Sequence, residues 1–271
     1  MGVETNWSVF DRASAGLMSR SLAEKSDSLK EIRTLLETVD DDCVLASCSD
    51  EQVLTIDYPG LPANVSLVHP SKLKRRGLGS NDGRACFLHA VAHIEFNAIN
   101  LALDAIYRFR GLPARFYRDW LSVALDECRH HEMLVRRMGE LGFSYGDFVA
   151  HNGLWDAAMS SAYSLKVRMA IVPCVFEARG LDVTPGMIRR LQSVGDRESA
   201  AILQQILDEE IGHVAIGNRW FEFACTAEGL DPDIELARTI SQHMPTRRHG
   251  EMNTEARLEA GFSAAQLRSL K

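Results

Sequence analysis

Four long stretches of the chain repeat apolar residues at helical spacing, and each is closed by residues that end helices. The first runs from about Arg84 to Arg110, with Leu88, Val91, Ile99, Ala102 and Ile106 on its apolar face, and stops at Gly111. The second opens with Pro113 in its first turn and stops at Gly142. Proline at the start and glycine at the end is the order helices favour. The short Gly-Leu-Pro joint makes these two helices antiparallel neighbours. Phe143 to Gly153 breaks the pattern with glycine, aromatic and polar residues and suits a long crossover. A third helix is expected from about Leu154 to Arg179, then a turn from Gly180 to Gly186 and a short helix, and a fourth helix from near Asp196 to Gly229. At about 1.5 Å per residue the long helices reach roughly 35–50 Å, a length suited to a bundle.

The flanks read differently. Up to about Asp42 the pattern is helical, with a capping box in which Ser21 precedes Glu24 and a face of Leu29, Ile32, Leu35 and Leu36. From Asp57 to Gly83, Pro59, Pro62 and Pro70 with Gly60, Gly77, Gly79 and Gly83 predict an extended strap without regular structure. The tail after Asp231 predicts one or two short helices, the last opened by Ser263 and Gln266 as another capping box. The expected organisation is an N-terminal segment and strap (1–83), a four-helix bundle (84–230) and a helical tail (231–271).

Composition adds limits. The chain has 271 residues, 46% of them hydrophobic, enough for one full core. Its net charge of −7 gives the whole molecule no electrostatic attraction to nucleic acid or an anionic membrane. No apolar run reaches the roughly 18 residues of a membrane span, and the start lacks a signal-peptide layout, so a cytosolic location is expected. Cys43, Cys48, Cys86, Cys128, Cys174 and Cys225 are scattered, form no C-x-x-C pair, and read as reduced, buried small hydrophobes.

The chemistry sits inside the helices. Glu127 and His130 on the second helix stand at i, i+3, and Glu210 and His213 repeat that spacing on the fourth. Each pair therefore shares one face. Glu95 on the first helix and Glu177 on the third lie among apolar neighbours. Glu95 precedes Glu127 by 32 residues and Glu177 precedes Glu210 by 33, so the chain reads as two copies of one helical hairpin. A lone glutamate and a Glu-x-x-His from each copy make up the ligand set of di-iron carboxylate bundles. Four carboxylates converging in an apolar core would otherwise face several kcal/mol each of desolvation, or stay protonated. Two divalent ions balance their charge with both histidines neutral. The expectation is therefore an all-α, ferritin-like four-helix bundle with a long crossover, holding two metal ions through Glu95, Glu127, His130, Glu177, Glu210 and His213. Iron fits this donor set, as do manganese and a mixed iron/manganese pair.

Neighbours compete for these roles. His131 is four residues from Glu127 and stands as an alternative to His130, and Glu209 as an alternative to Glu210. His89 and His93 lie off the face of Glu95 and suit packing or hydrogen bonds behind the ligands. Pro173, one turn before Glu177, frees the carbonyl of Met169 and predicts a kink.

The sequence also resembles an uncharacterised bacterial ferritin-like family, domain of unknown function 455. The likeness runs from the Arg75-Arg76-Gly-Leu-Gly-Ser strap through HAVAHIEFNAINLALD (His89 to Asp104), FYRDW (Phe116 to Trp120), YGDFVAHNGLW (Tyr145 to Trp155), EARGLDVTPGMI (Glu177 to Ile188) and DEEIGHVAIGNRWF (Asp208 to Phe221). The resemblance implies the same six metal positions and supplies no reaction. More distantly, the ligand pattern is similar to bacterioferritin, rubrerythrin, ribonucleotide reductase small subunits and a tRNA-hydroxylating mono-oxygenase family. The chain lacks rubrerythrin's four-cysteine cluster, and Leu134 stands where reductases carry a radical tyrosine. Its strap and tail also set it apart from compact ferritin storage subunits.

Three functional readings follow. The leading one is a non-haem di-iron oxidoreductase or mono-oxygenase that activates oxygen or peroxide, using an unidentified small-molecule substrate and electron donor. A second is a metal-handling or peroxide-protective protein with no organic substrate. A third is an RNA-modifying hydroxylase, motivated by the basic cluster Lys72, Lys74, Arg75 and Arg76, for which the plainer account is a solvated strap. No membrane partner is expected, and a homodimer fits the pattern.

Overall fold

Among the described residues the N-terminal segment is helical, as the sequence predicts, and forms two helices. α1 (Val9–Met18) begins at Ser8, whose hydroxyl accepts from the Asp11 amide while the Asp11 carboxylate accepts from the Ser8 amide. α2 (Leu22–Leu36) repeats this box with Ser21 and Glu24, as the sequence predicts. Each box satisfies amides that a helix start leaves open. Leu29, Ile32 and Leu36 are fully buried, but Leu35 is 38% exposed. It stands one residue, about 100° of rotation, off that row. The computed structural model describes residues 8–45, 53–73, 76–244 and 250–270.

The chain divides into two compact units. One comprises Met1–Arg75 and Leu88–Asn152; the other comprises Arg76–Phe87 and Gly153–Lys271. In the first, β1 (Val44–Leu45) pairs antiparallel with β2 (Leu112–Pro113), a contact the sequence did not signal. β2 lies in the joint between α3 (Asn81–Arg108) and α4 (Ala114–Glu140). Gly111 there has φ 78°, the left-handed conformation that ends a helix. The Tyr117 hydroxyl donates to the Phe109 carbonyl at 3.0 Å, and the His131 ring reaches the Ala92 carbonyl at 2.8 Å. These contacts lie at nearly equal chain distances either side of the joint, so α3 and α4 run antiparallel.

The described residues of the strap are irregular as expected, apart from a 3₁₀ turn at Pro70–Lys72 and the helix that begins at Asn81, and Ser66 to Val68 dock on the crossover. The Val68 amide donates to the Ala150 carbonyl at 2.8 Å, and the Ala150 amide to the Ser66 carbonyl at 2.9 Å. Gly146, at φ 105°, has no room for a side chain: a Cβ there would lie 2.2 Å from the Asn64 side-chain nitrogen.

α3 is the one helix among the described residues long and apolar enough, by length and composition, to cross a bilayer, which the sequence reading did not anticipate. Within that stretch 72% of residues are buried. It also carries buried His89, His93, Glu95, Asn97, Asn100 and Asp104, polar groups that would be costly in lipid.

The second unit departs most from expectation. The third helix breaks early: α5 (Gly153–Ser160) ends, and α6 (Leu165–Ile171) restarts at Ser164, whose hydroxyl caps Val167. Buried Arg168 holds the break by donating to the Ala158 carbonyl at 2.6 Å and to the Ser161 hydroxyl at 3.1 Å. From α6 the helix continues through a π-helical turn, Val172–Glu177, into α7 (Ala178–Ser193). Pro173 produces that π turn, the kink the sequence predicts. The turn expected from Gly180 to Gly186 is instead helix. Pro185 lies inside α7 and leaves the Leu181 carbonyl without its helical donor, and the Asn253 side-chain NH₂ supplies one at 3.3 Å.

α8 (Arg197–Ala227) packs along α6, the π turn and α7. Three short helices follow, one more than expected: α9 (Pro232–His243), α10 (Thr254–Glu259) and α11 (Ala264–Ser269). α11 opens with the Ser263–Gln266 box read from sequence. Arg257 of α10 is fully buried and pairs with Asp182 of α7 at 2.7 Å, anchoring the tail.

Candidate metal centre

The antiparallel register of α3 and α4 brings Glu95 level with the turn that carries Glu127 and His130. His130 Nδ1 lies 3.3 Å from Glu95 Oε2 and 3.4 Å from Glu127 Oε2. Ligating atoms of the three residues fall within 4.8 Å of one another, and all three residues are buried. Burial opposes charge on His130, but the hydrogen bonds its ring donates to Glu127 and Glu95, and their negative charge, outweigh it and raise its pKa to about 11. Without metal the site is therefore an imidazolium between two carboxylates. A divalent cation displacing that proton would meet two anionic oxygens and a neutral imidazole nitrogen, a donor set that suits iron or manganese.

His131, the competing histidine, faces elsewhere. Its Nδ1 donates to the Ala92 carbonyl, and its ring meets Tyr145 edge-on at 4.7 Å and Phe96 at 5.3 Å. His93 Nε2 lies 3.2 Å from the His151 carbonyl, which can only accept, so Nδ1 accepts from the Tyr145 hydroxyl at 2.8 Å. His89 Nε2 accepts from the Gly146 amide at 3.1 Å, and its ring stacks on Tyr145. Burial lowers the pKa of all three rings to about 4, so each is neutral. Tyr145 is the hub of this packing, a role that sequence reasoning missed. Its place beside Gly146, within a crossover that also carries Phe143 and Phe148, was the available signal.

In the second unit α8 carries Glu210 and His213, with His213 Nδ1 3.5 Å from Glu210 Oε2. Glu177 closes the π turn. Gly217, one turn beyond His213, lies against Pro173, one turn before Glu177, so the antiparallel contact sets Glu177 level with His213. The Glu210–His213 pair of this half repeats the Glu127–His130 pair of the first. Glu209, the alternative to Glu210, accepts from the Gln205 side chain at 3.2 Å on the exposed side of α8.

Other residues noted from sequence fall outside these sites. Arg76 pairs with Asp82, Lys72 is exposed at the end of the 3₁₀ turn, and Lys74 and Arg75 lie outside the described residues. Cys128, Cys174 and Cys225 are buried, and burial raises their thiol pKa, to about 12 for Cys128 and about 11 for Cys225. Cys86 is partly buried, Cys43 is exposed, contrary to the buried role expected of it, and Cys48 lies outside the described residues.

Residues 18–268 match the family described as "Protein of unknown function (DUF455)". An uncharacterized protein of Haemophilus influenzae is 41% identical over 213 residues, which cover 76% of this chain and 74% of that protein. No solved structure matches. With nearly its whole length matched, the chain belongs to the DUF455 family.

Proposed function

We propose that the two hairpins form a ferritin-like four-helix bundle in which Glu95, Glu127, His130, Glu177, Glu210 and His213 hold two divalent metal ions, iron in the first instance. The observation that carries this reading is the buried set Glu95, Glu127 and His130, two carboxylates facing one imidazole nitrogen. The repeated spacing supports extending it to the second half, because Glu177, Glu210 and His213 occupy the same positions in their hairpin. Two ferrous ions in such a site supply electrons to oxygen or peroxide for oxidation of a second molecule. The chain's own groups hold the site: His130 gives up its proton on loading, and neutral His93 and His131 anchor the helices just behind the ligands without competing for metal.

Elemental mass spectrometry on anaerobically iron-loaded protein, wild type beside Glu127→Ala and His213→Ala, tests the site. About two irons per chain, reduced in both variants, is the expected result. Oxygen uptake in excess of iron oxidation, once a reductant is present, supports an oxidoreductase. Uptake that ends with one round of iron oxidation supports metal handling instead. Wild-type protein that binds no metal overturns the reading.

A further inference from the structure

α7 and the π turn present a second feature on the side facing the tail. Phe176, Arg179, Val183, Met187 and Arg190 recur at three- and four-residue steps and so share one helix face. That face lines a cleft of about 580 Å³, whose opposite wall includes Met244, Met252 and Leu270. This volume lies within the range of small-molecule sites. Its floor is apolar and rich in methionine, a side chain that adapts to irregular shapes.

The charge around the cleft is lopsided. Arg179, Arg189 and Arg190 all line it, against the carboxylates of Asp182 and Glu251. Asp182 is already engaged: Arg257 donates to it at 2.7 and 2.9 Å and the Asn253 amide at 2.9 Å. Among the described residues, three arginines therefore line a cleft with one further carboxylate, Glu251. Gly186 leaves space beneath them, since a Cβ there would meet only the Arg189 guanidinium, at 3.8 Å.

We propose that this cleft binds a small amphipathic organic anion, its carboxylate or phosphate head paired with Arg179, Arg189 and Arg190 and its aliphatic body lying on Phe176, Met187, Met244 and Met252. Arginine suits either head, because its planar fork meets two oxygens at once. The site needs no metal, and its wall includes Val175 and Phe176, the residues next to Glu177 of the proposed metal centre.

Isothermal titration of the full chain with decanoate, decyl phosphate, decanol and decyltrimethylammonium tests this. Saturable one-to-one binding of an anion is expected, with the neutral and cationic chains failing to bind. The stronger of decanoate and decyl phosphate identifies the head group. Arg179→Gln/Arg190→Gln should weaken anion binding by about tenfold or more, the scale of losing charge-assisted hydrogen bonds. Gly186→Trp, which fills the cleft from a helical position without positive φ, should abolish it while circular dichroism stays unchanged. Absence of saturable anion binding, equal binding of decanol, or binding unaffected by both variants overturns the proposal.

Discussion

Gly217 offers the sharpest test of how the second unit is packed. A Cβ on this residue would lie 2.1 Å from Pro173 Cβ and 2.4 Å from its Cγ, well inside the 3.5–4.0 Å at which carbon atoms rest. The proline ring is closed onto its own backbone and cannot swing aside, so α8 and the π turn must separate. Overpacking of this kind costs about 1–3 kcal/mol, and an overlap of more than an ångström against a rigid ring belongs at the upper end. Alanine in a helix recovers about 1 kcal/mol relative to glycine. Gly217→Ala should therefore destabilise by about 2 kcal/mol net, lowering the melting temperature by roughly 4–8 °C. The assay is thermal unfolding of wild type, Gly217→Ala, Pro173→Gly and the double variant. Because Pro173→Gly removes both ring carbons in the clash, the Gly217→Ala cost should vanish in that background. A single Gly217→Ala variant as stable as wild type, or costs that add independently of Pro173, would refute the packing argument.

Three further outcomes follow from other parts of the structure. His130→Ala should lose metal, whereas His131→Leu should keep it and only soften the α3–α4 contact, as read by metal content beside urea unfolding. Burial lowers the Lys25 pKa from 10.5 to about 7, although the Gly16 and Leu17 carbonyls and the Asn100 side chain accept from its ammonium. The unfolded chain thus binds more protons between about pH 7 and 10.5, and stability should rise with pH across that window; urea midpoints at pH 6.5 and 9 should diverge less in Lys25→Met. Asp182→Ala leaves the buried Arg257 guanidinium without its partner and should cost about 3–5 kcal/mol, with faster hydrogen exchange in α10 and α11 as the direct readout.

What could be read in the sequence was whatever the chain decides locally. The Ser21–Glu24 and Ser263–Gln266 boxes, the Gly111 and Gly142 stops, the proline kink at Pro173 and the shared faces of Glu127 with His130 and Glu210 with His213 depend on residues within a few positions of one another. The misses share an opposite cause. Gly180 to Gly186, with Pro185 inside the stretch, looks like a turn until Asn253, far along the chain, supplies the missing donor to Leu181. The early end of α5 depends on Arg168 reaching back to Ala158. His130 and His131 are equivalent by spacing to within one residue, and contacts made far along the chain separate them: His130 meets Glu95, whereas His131 meets the Ala92 carbonyl and the Tyr145 ring. The candidate site shows the same division: each Glu-x-x-His is a local pattern, while the approach of Glu95 to His130 comes from the register that the Gly111 joint imposes on two helices. A site built this way should respond to changes in that register before it responds to changes in helix propensity. Lengthening the joint by one glycine between Gly111 and Leu112 leaves every ligand in place in the sequence. It should nonetheless reduce iron binding in the first half, with helical content by circular dichroism preserved. Unchanged iron binding in that variant would mean that packing along α3 and α4, and not the joint, sets the position of Glu95.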